Sequence, residues 1–181
     1  MKKFNTTAVC IPSRHYMADV SRKVQEIKKL VDDGKYFTIN RARQYGKTTT
    51  LTALNLALSN QYDVINIDFQ DVTSAEFENE SEFTKGLAQM LCDTRDSMEI
   101  PVPDRFYDNF QELACKAGTA KLNDIFRIFD SWSKENEKSV VLIIDEVDTA
   151  ANNQVFLDLL EKLRACYLKR EKTRITVPFS R

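Results

Sequence analysis

An α/β fold, with a mainly parallel sheet between helical layers, is the class this sequence predicts. Three observations carry it. A short β-prone run, Tyr36–Asn40, passes through a glycine into a helical pattern. A run of five aliphatic residues, Val140–Ile144, ends in two acids. Between and around them, apolar residues recur at helical spacing. An aliphatic run of that kind marks a strand buried on both faces, as in the middle of a parallel sheet.

The first stretch reads YFTINRARQYGKTTTLTALNLAL from Tyr36 to Leu58. Phe37 and Ile39 give the strand its apolar positions, and Leu51, Leu54 and Leu58 set the helical step that follows. Gly46-Lys47-Thr48-Thr49 lies between, as the second half of a Walker A loop. A glycine there lets backbone N–H groups turn toward phosphate oxygens, and the helix that starts at the same point adds its positive end. A lysine in that place reaches the β- and γ-phosphates, and the adjacent hydroxyl of Thr48 can ligand Mg²⁺. The full pattern has another glycine five positions before Gly46, where this chain has Arg41. Gly-Lys-Thr also fits an ordinary helix N-terminus with a solvated lysine.

The second stretch, VVLIIDEVD, has the form of a Walker B strand. In that reading Asp145 holds the Mg²⁺ shell, usually through water, and Glu146 polarises an attacking water. A core strand followed by solvated acids is the alternative when the stretch is taken alone. Each half supplies what the other requires, which favours nucleotide binding.

Composition narrows the class. The chain has 181 residues, 43% hydrophobic and 29% charged, enough for one domain with a core of its own. Lys+Arg 26 against Asp+Glu 27 leaves no overall basic field for non-specific nucleic-acid binding. No apolar run is long enough for a bilayer, and the N-terminus lacks a signal-peptide core, so a cytoplasmic location is expected. Cys10, Cys92, Cys115 and Cys166 lack CxxC spacing and read as reduced thiols. With His15 as the one histidine, a histidine-rich zinc site is excluded.

Taken in order, residues 1–18 read as irregular, with Pro12 blocking an early helix. The Arg14-His15-Tyr16 cluster reads as an arm packing on the body, or as a segment beside the adenine. A core-packing helix is expected over Asp19–Asp33, with Val20, Val24, Ile27 and Val31 on one face and Gly34 as its stop. A second strand is expected over Val64–Phe69, with Asp68 and Asp71 at its end. Helices then fill the middle. Ser81 is the expected cap of one carrying Phe83, Leu87, Met90 and Leu91. Asp104 is the expected cap of one carrying Phe106, Phe110 and Leu113, ended by Gly118. The next carries Leu122, Ile125, Phe126, Phe129 and Trp132, an aromatic stripe that reads as core rather than a base-stacking platform. After the acids a last helix from Asn152 or Asn153 is expected to turn Phe156, Leu159, Leu160, Leu163 and Tyr167 inward. In domain terms, residues 1–35 form an arm and helix packing on a core of residues 36–181, all within one domain.

With these residues in view, the chain resembles a bacterial AAA-like P-loop ATPase domain. The resemblance rests on RARQYGKTTTL, on HYMADVSRKVQEI and KYFTIN upstream, and on VVLIIDEVD, and it runs to about Lys172. In that family the first Walker A glycine is commonly an arginine, in an Arg-x-Arg-x-aromatic-Gly-Lys-Ser/Thr run. Arg41, Arg43, Tyr45, Gly46, Lys47 and Thr48 fit it. The resemblance implies a P-loop NTPase, three-layer α/β/α, binding ATP and Mg²⁺. Gly46, Lys47, Thr48, Thr49, Arg41 and Arg43 would lie at the nucleotide, Thr48 and Asp145 at the metal, and Glu146 would be the catalytic base. Arg41 and Arg43 would touch phosphate or a neighbouring chain, or simply cover the loop.

Relatives continue with a fourth strand ending in a polar sensor, a fifth strand and often a helical lid. Here one short β-like run, Ile175–Val177, is broken by Pro178. The expectation is therefore an incomplete sheet with an unpaired edge, weak ATP hydrolysis, and self-association or a protein partner completing the sheet. Whether the chain is an enzyme stays open. A non-hydrolysing regulatory or interaction module on the same fold is one alternative. A DNA-associated loader-type ATPase is another, against which the near-neutral charge weighs.

Overall fold

The structure is a computed structural model that describes residues 19–39, 46–98, 102–148 and 150–173. The chain divides into two compact units, Met1–Asn60 and Gln61–Arg181.

In the first unit α1 spans Ser21–Asp32. Asp19 Oδ1 accepts the Ser21 N–H at 2.9 Å, satisfying one of the donors a helix start leaves open. The helix stops as its sequence implies. Gly34 takes φ +63°, its N–H bonds to the Val31 carbonyl, and the Lys35 N–H bonds to the Leu30 carbonyl. That pair of bonds is the Schellman arrangement, which glycine adopts without a Cβ penalty. On the expected inner face Val24 is buried and Val20, Ile27 and Val31 are half-buried.

The expected strand at Tyr36–Asn40 is corrected. Tyr36–Ile39 follow α1 outside any helix or strand, with Tyr36 and Phe37 exposed, and Asn40 lies outside the described residues. β-propensity at four or five positions is a weak preference, and without a neighbouring ladder it makes no strand. Helix α2 spans Lys47–Leu58 and buries Thr50, Leu54 and Leu58, with Leu51 half-buried.

The second unit holds β1 (Tyr62–Asp68), α3 (Glu80–Met98), α4 (Asp104–Ala114), α5 (Leu122–Glu135), β2 (Ser139–Asp145) and α6 (Gln154–Thr173). The two strands pair in parallel, in register from Tyr62 opposite Ser139 to Asp68 opposite Asp145. Parallel neighbours need a long crossover, and α3, α4 and α5 supply it. The chain is thus α/β, with a two-stranded parallel sheet among the described residues.

One core lies within this unit. Phe69, at the end of β1, meets Phe156 edge-on at 5.1 Å and stacks near Phe83 and Phe77. A second aromatic group joins α4 to α5. Phe106 stacks on Trp132 at 5.8 Å, and Phe110 meets Phe129 at 5.5 Å. The stripe on α5 is core, as expected: Leu122, Ile125, Phe129 and Trp132 are buried.

Four local expectations are corrected. The cap of α3 is Asn79, whose Oδ1 accepts the N–H groups of Ser81 and Glu82 at 2.9 and 3.0 Å. The Ser81 hydroxyl instead accepts the Ala120 N–H at 3.0 Å, tying α3 to the loop before α5. Asp104 is the first residue of α4 rather than its cap, and its carboxylate pairs with Arg95 on α3. On α6, Phe156 and Leu159 are buried, but Leu160 is 40% exposed. The largest correction concerns β2. Only Val140 is buried, and Val141 to Ile144 are half-buried, because β2 has a strand neighbour on one side only among the described residues.

Candidate functional site

The residues singled out by sequence fall into two groups, one in each unit. The first group sits at the start of α2. Gly46 precedes the helix with φ +72° and ψ 33°, the left-handed conformation that side chains disfavour. Among the described residues a Cβ there would meet nothing within 4 Å, so the requirement for glycine that they show is one of backbone angle. Its carbonyl begins the helix by accepting the Thr50 N–H and the Thr50 hydroxyl, each at 2.9 Å. That holds Thr50 inward and buried, and directs the loop-to-helix turn.

No side chain caps α2 and no acid occupies its first turn, among the described residues. An uncapped start keeps the positive end of the helix dipole available, and an acid in that turn would have repelled phosphate. Lys47 and Thr49 are half-buried, and Gly46 and Thr48 are exposed. The Thr48 carbonyl accepts the Thr52 hydroxyl at 2.9 Å within the helix. Arg41, Arg43 and Tyr45 lie outside the described residues, as does the Arg14-His15-Tyr16 cluster.

The second group sits at the carboxyl end of the parallel sheet, where open α/β sheets place their ligands. Asp145 is the last residue of β2 and is half-buried. One of its carboxylate oxygens, Oδ1, accepts the Glu146 N–H at 2.8 Å. Its carbonyl accepts the Phe69 N–H at 3.2 Å, which fixes the strand end against β1. Glu146 itself has φ +51°, the one non-glycine residue in that region among those described. Left-handed backbone at such a residue costs about 1–2 kcal/mol. Strain of this kind accumulates where a side chain must be aimed.

Asp68 stands directly opposite Asp145 in the ladder, so the sheet ends in two side-by-side acids. Its exposed carboxylate accepts the Gln70 N–H at 2.8 Å. The register of the two strands is what aligns them, and that cannot be read from either segment alone. The φ at Glu146 has no sequence signal either, since glutamate rarely adopts it.

Among the described residues no three His, Cys, Asp or Glu side chains converge to hold a metal ion. Cys92 is buried, and desolvation, aided by Asp93 and Asp96, pushes its thiol up to about 11, so it stays protonated.

An α/β chain with a glycine-led helix start and an acid pair at the end of a parallel strand has the parts of a nucleotide-binding domain. The chain belongs to the AAA-like domain family, whose family model matches residues 4–177. No curated protein and no solved structure matches it. No helix among the described residues is long and apolar enough to cross a membrane.

Proposed function

We propose that this chain is an ATP-binding P-loop domain, a three-layer α/β/α NTPase of the AAA-like type, that takes its nucleotide with Mg²⁺. The observation that carries the reading is the left-handed Gly46 opening onto an uncapped helix that begins Lys47-Thr48-Thr49. Backbone N–H groups at that helix start bind phosphate oxygens, and the Lys47 ammonium neutralises the β- and γ-phosphates. In this reading Thr48, through its hydroxyl, and Asp145, whose Oδ1 accepts the Glu146 N–H, would each take a place in the metal shell. A bound Mg²⁺ supplies charge neutralisation at the phosphate oxygens.

Glu146 is the base in this reading. Its carboxylate takes a proton from the attacking water, and its position is set by the backbone angle at the end of β2. Arg41 and Arg43 lie at the nucleotide in the same reading.

Titration calorimetry with ATP·Mg tests the assignment. The parent chain is expected to bind, and Lys47→Ala is expected to lose binding with an unchanged thermal melt, since a half-buried lysine at a helix start contributes little to folding. Unchanged affinity in the folded variant would sink the assignment.

A further inference from the structure

Phe69 is the first residue after β1 and is wholly buried. It touches the segment that follows β2 at both of that segment's ends. Its backbone N–H donates at 3.2 Å to the Asp145 carbonyl, in the peptide that leads into Glu146. Its ring meets Phe156, in the first turn of α6, at 5.1 Å with the ring planes 72° apart. Between these two ties the chain is braced by its own hydrogen bonds. The Val147 carbonyl accepts the Ala150 and Ala151 N–H groups at 3.1 and 2.9 Å. The Ala150 carbonyl accepts the Asn153 N–H at 3.0 Å and its side-chain amide at 3.3 Å. The Asn153 carbonyl in turn accepts the Phe156 N–H at 3.1 Å. Ala150 is itself wholly buried, and Thr149 lies outside the described residues. A shift of Phe156 is therefore passed, bond by bond, to Val147, the neighbour of Glu146.

We propose that Phe69 is a positioning residue for Glu146, its N–H and its ring pinning the two ends of the segment that carries this carboxylate. The left-handed backbone at Glu146 is disfavoured for glutamate and persists where the surrounding structure over-determines it. Fixing the turn requires both of its ends, and Phe69 reaches one with its peptide and the other with its side chain. A smaller side chain at either Phe69 or Phe156 opens a gap between them and frees the α6 end. The consequence for catalysis rests on the nucleotide reading, in which Glu146 is the base. The anchoring does not.

Amide hydrogen exchange and single-turnover phosphate release, both on the full chain, test the proposal together. In Phe69→Leu and Phe156→Leu the amides of Glu146, Ala150 and Ala151 are expected to exchange on the order of tenfold faster than the loss of global stability accounts for. ATP·Mg affinity by calorimetry is expected to hold, while phosphate release slows on the order of 10²-fold, the cost of a misplaced catalytic group. The double variant is expected to be no slower than the slower single, because both changes break one contact. Phe110→Leu removes an equally buried ring from the group that joins α4 to α5. It is expected to lower the thermal melt and leave the rate alone, whereas a purely structural role for Phe69 would make the three single variants alike. If Phe69→Leu does not fold, Phe156→Leu carries the same expectations. Unaltered exchange at Glu146 in the folded variants overturns the proposal, as do rate losses that add in the double variant or that Phe110→Leu shares. Exchange needs no nucleotide. A parent that neither binds nor hydrolyses ATP therefore fails the nucleotide reading, and the catalytic consequence with it, while exchange still decides the anchoring.

Discussion

Gly46 and Glu146 adopt nearly the same unusual backbone, φ +72° and φ +51°, at the two places the sequence marks for phosphate and water chemistry. One is the residue type that tolerates this conformation and the other is not. At Gly46 the chain turns from loop to helix at no steric cost. At Glu146 it turns out of a strand while keeping a long acidic side chain, although glycine would fit the angle better. The contrast teaches that the backbone angle favours the residue found at 46 and disfavours the one found at 146, where the proposed reading needs the carboxylate as base.

The contrast can be broken or sharpened by substitution. The largest effect is expected from Glu146→Gln. If the carboxylate is kept for proton transfer, single-turnover phosphate release falls about 10²–10⁴-fold while ATP binding persists. Equal rates would reject the role. Next, Gly46→Ala should destabilise the fold by about 1–2 kcal/mol in urea denaturation, from the backbone angle, because its Cβ meets nothing among the described residues. A cost of several kcal/mol would mean that space matters there after all. The converse change, Glu146→Gly, should raise stability by up to about 1 kcal/mol while removing hydrolysis, the trade expected where strain serves function. Loss of stability would show that the Glu146 side chain holds the turn.

The smallest effect belongs to the opposite end of the sheet. Asp63 is buried at the start of β1, and desolvation raises its carboxyl above the ordinary 3.8, against the hydrogen bond from Asn136 and the charge of Lys138. A group whose folded pKa is raised contributes stability that is complete below pH 3.8 and is lost as pH rises through the folded value. Asp63→Asn should therefore show a flatter stability profile in the mildly acidic range above pH 3.8, and be at least as stable as the parent near neutrality. A steeper profile in the variant would reverse the assigned sign.

Much of the helical layer was legible because its signals are local. Phe106, Phe110 and Leu113 on α4, and Ile125, Phe129 and Trp132 on α5, repeat at helical spacing and are buried accordingly. Gly34 stops α1 as glycine after a helix should. The strands were legible in position but not in environment. Tyr36–Ile39 has β-prone residues yet forms no strand, and β2 has the composition of a central strand with a neighbour on one side among the described residues. Burial of a strand depends on what lies beside it, which no segment encodes by itself. The same holds for Leu160, placed inward by spacing yet exposed, because α6 is apolar around more of its circumference than one face can bury. At the candidate site, residue types and spacing named the groups, while the opposed Asp68 and Asp145 and the angle at Glu146 required the chain to be folded.

Trp132 gives the protein an optical property that follows from where its core lies. It is the sole tryptophan, wholly buried and stacked against Phe106 and Phe129. Indole emission therefore reports on the aromatic core within Gln61–Arg181. Circular dichroism, by contrast, sees α1 and α2 along with the rest. Coincident melts by the two probes would mean that both units unfold as one cooperative body. A dichroism transition preceding the fluorescence one would mean that helices outside the aromatic core can come undone while that core is still intact.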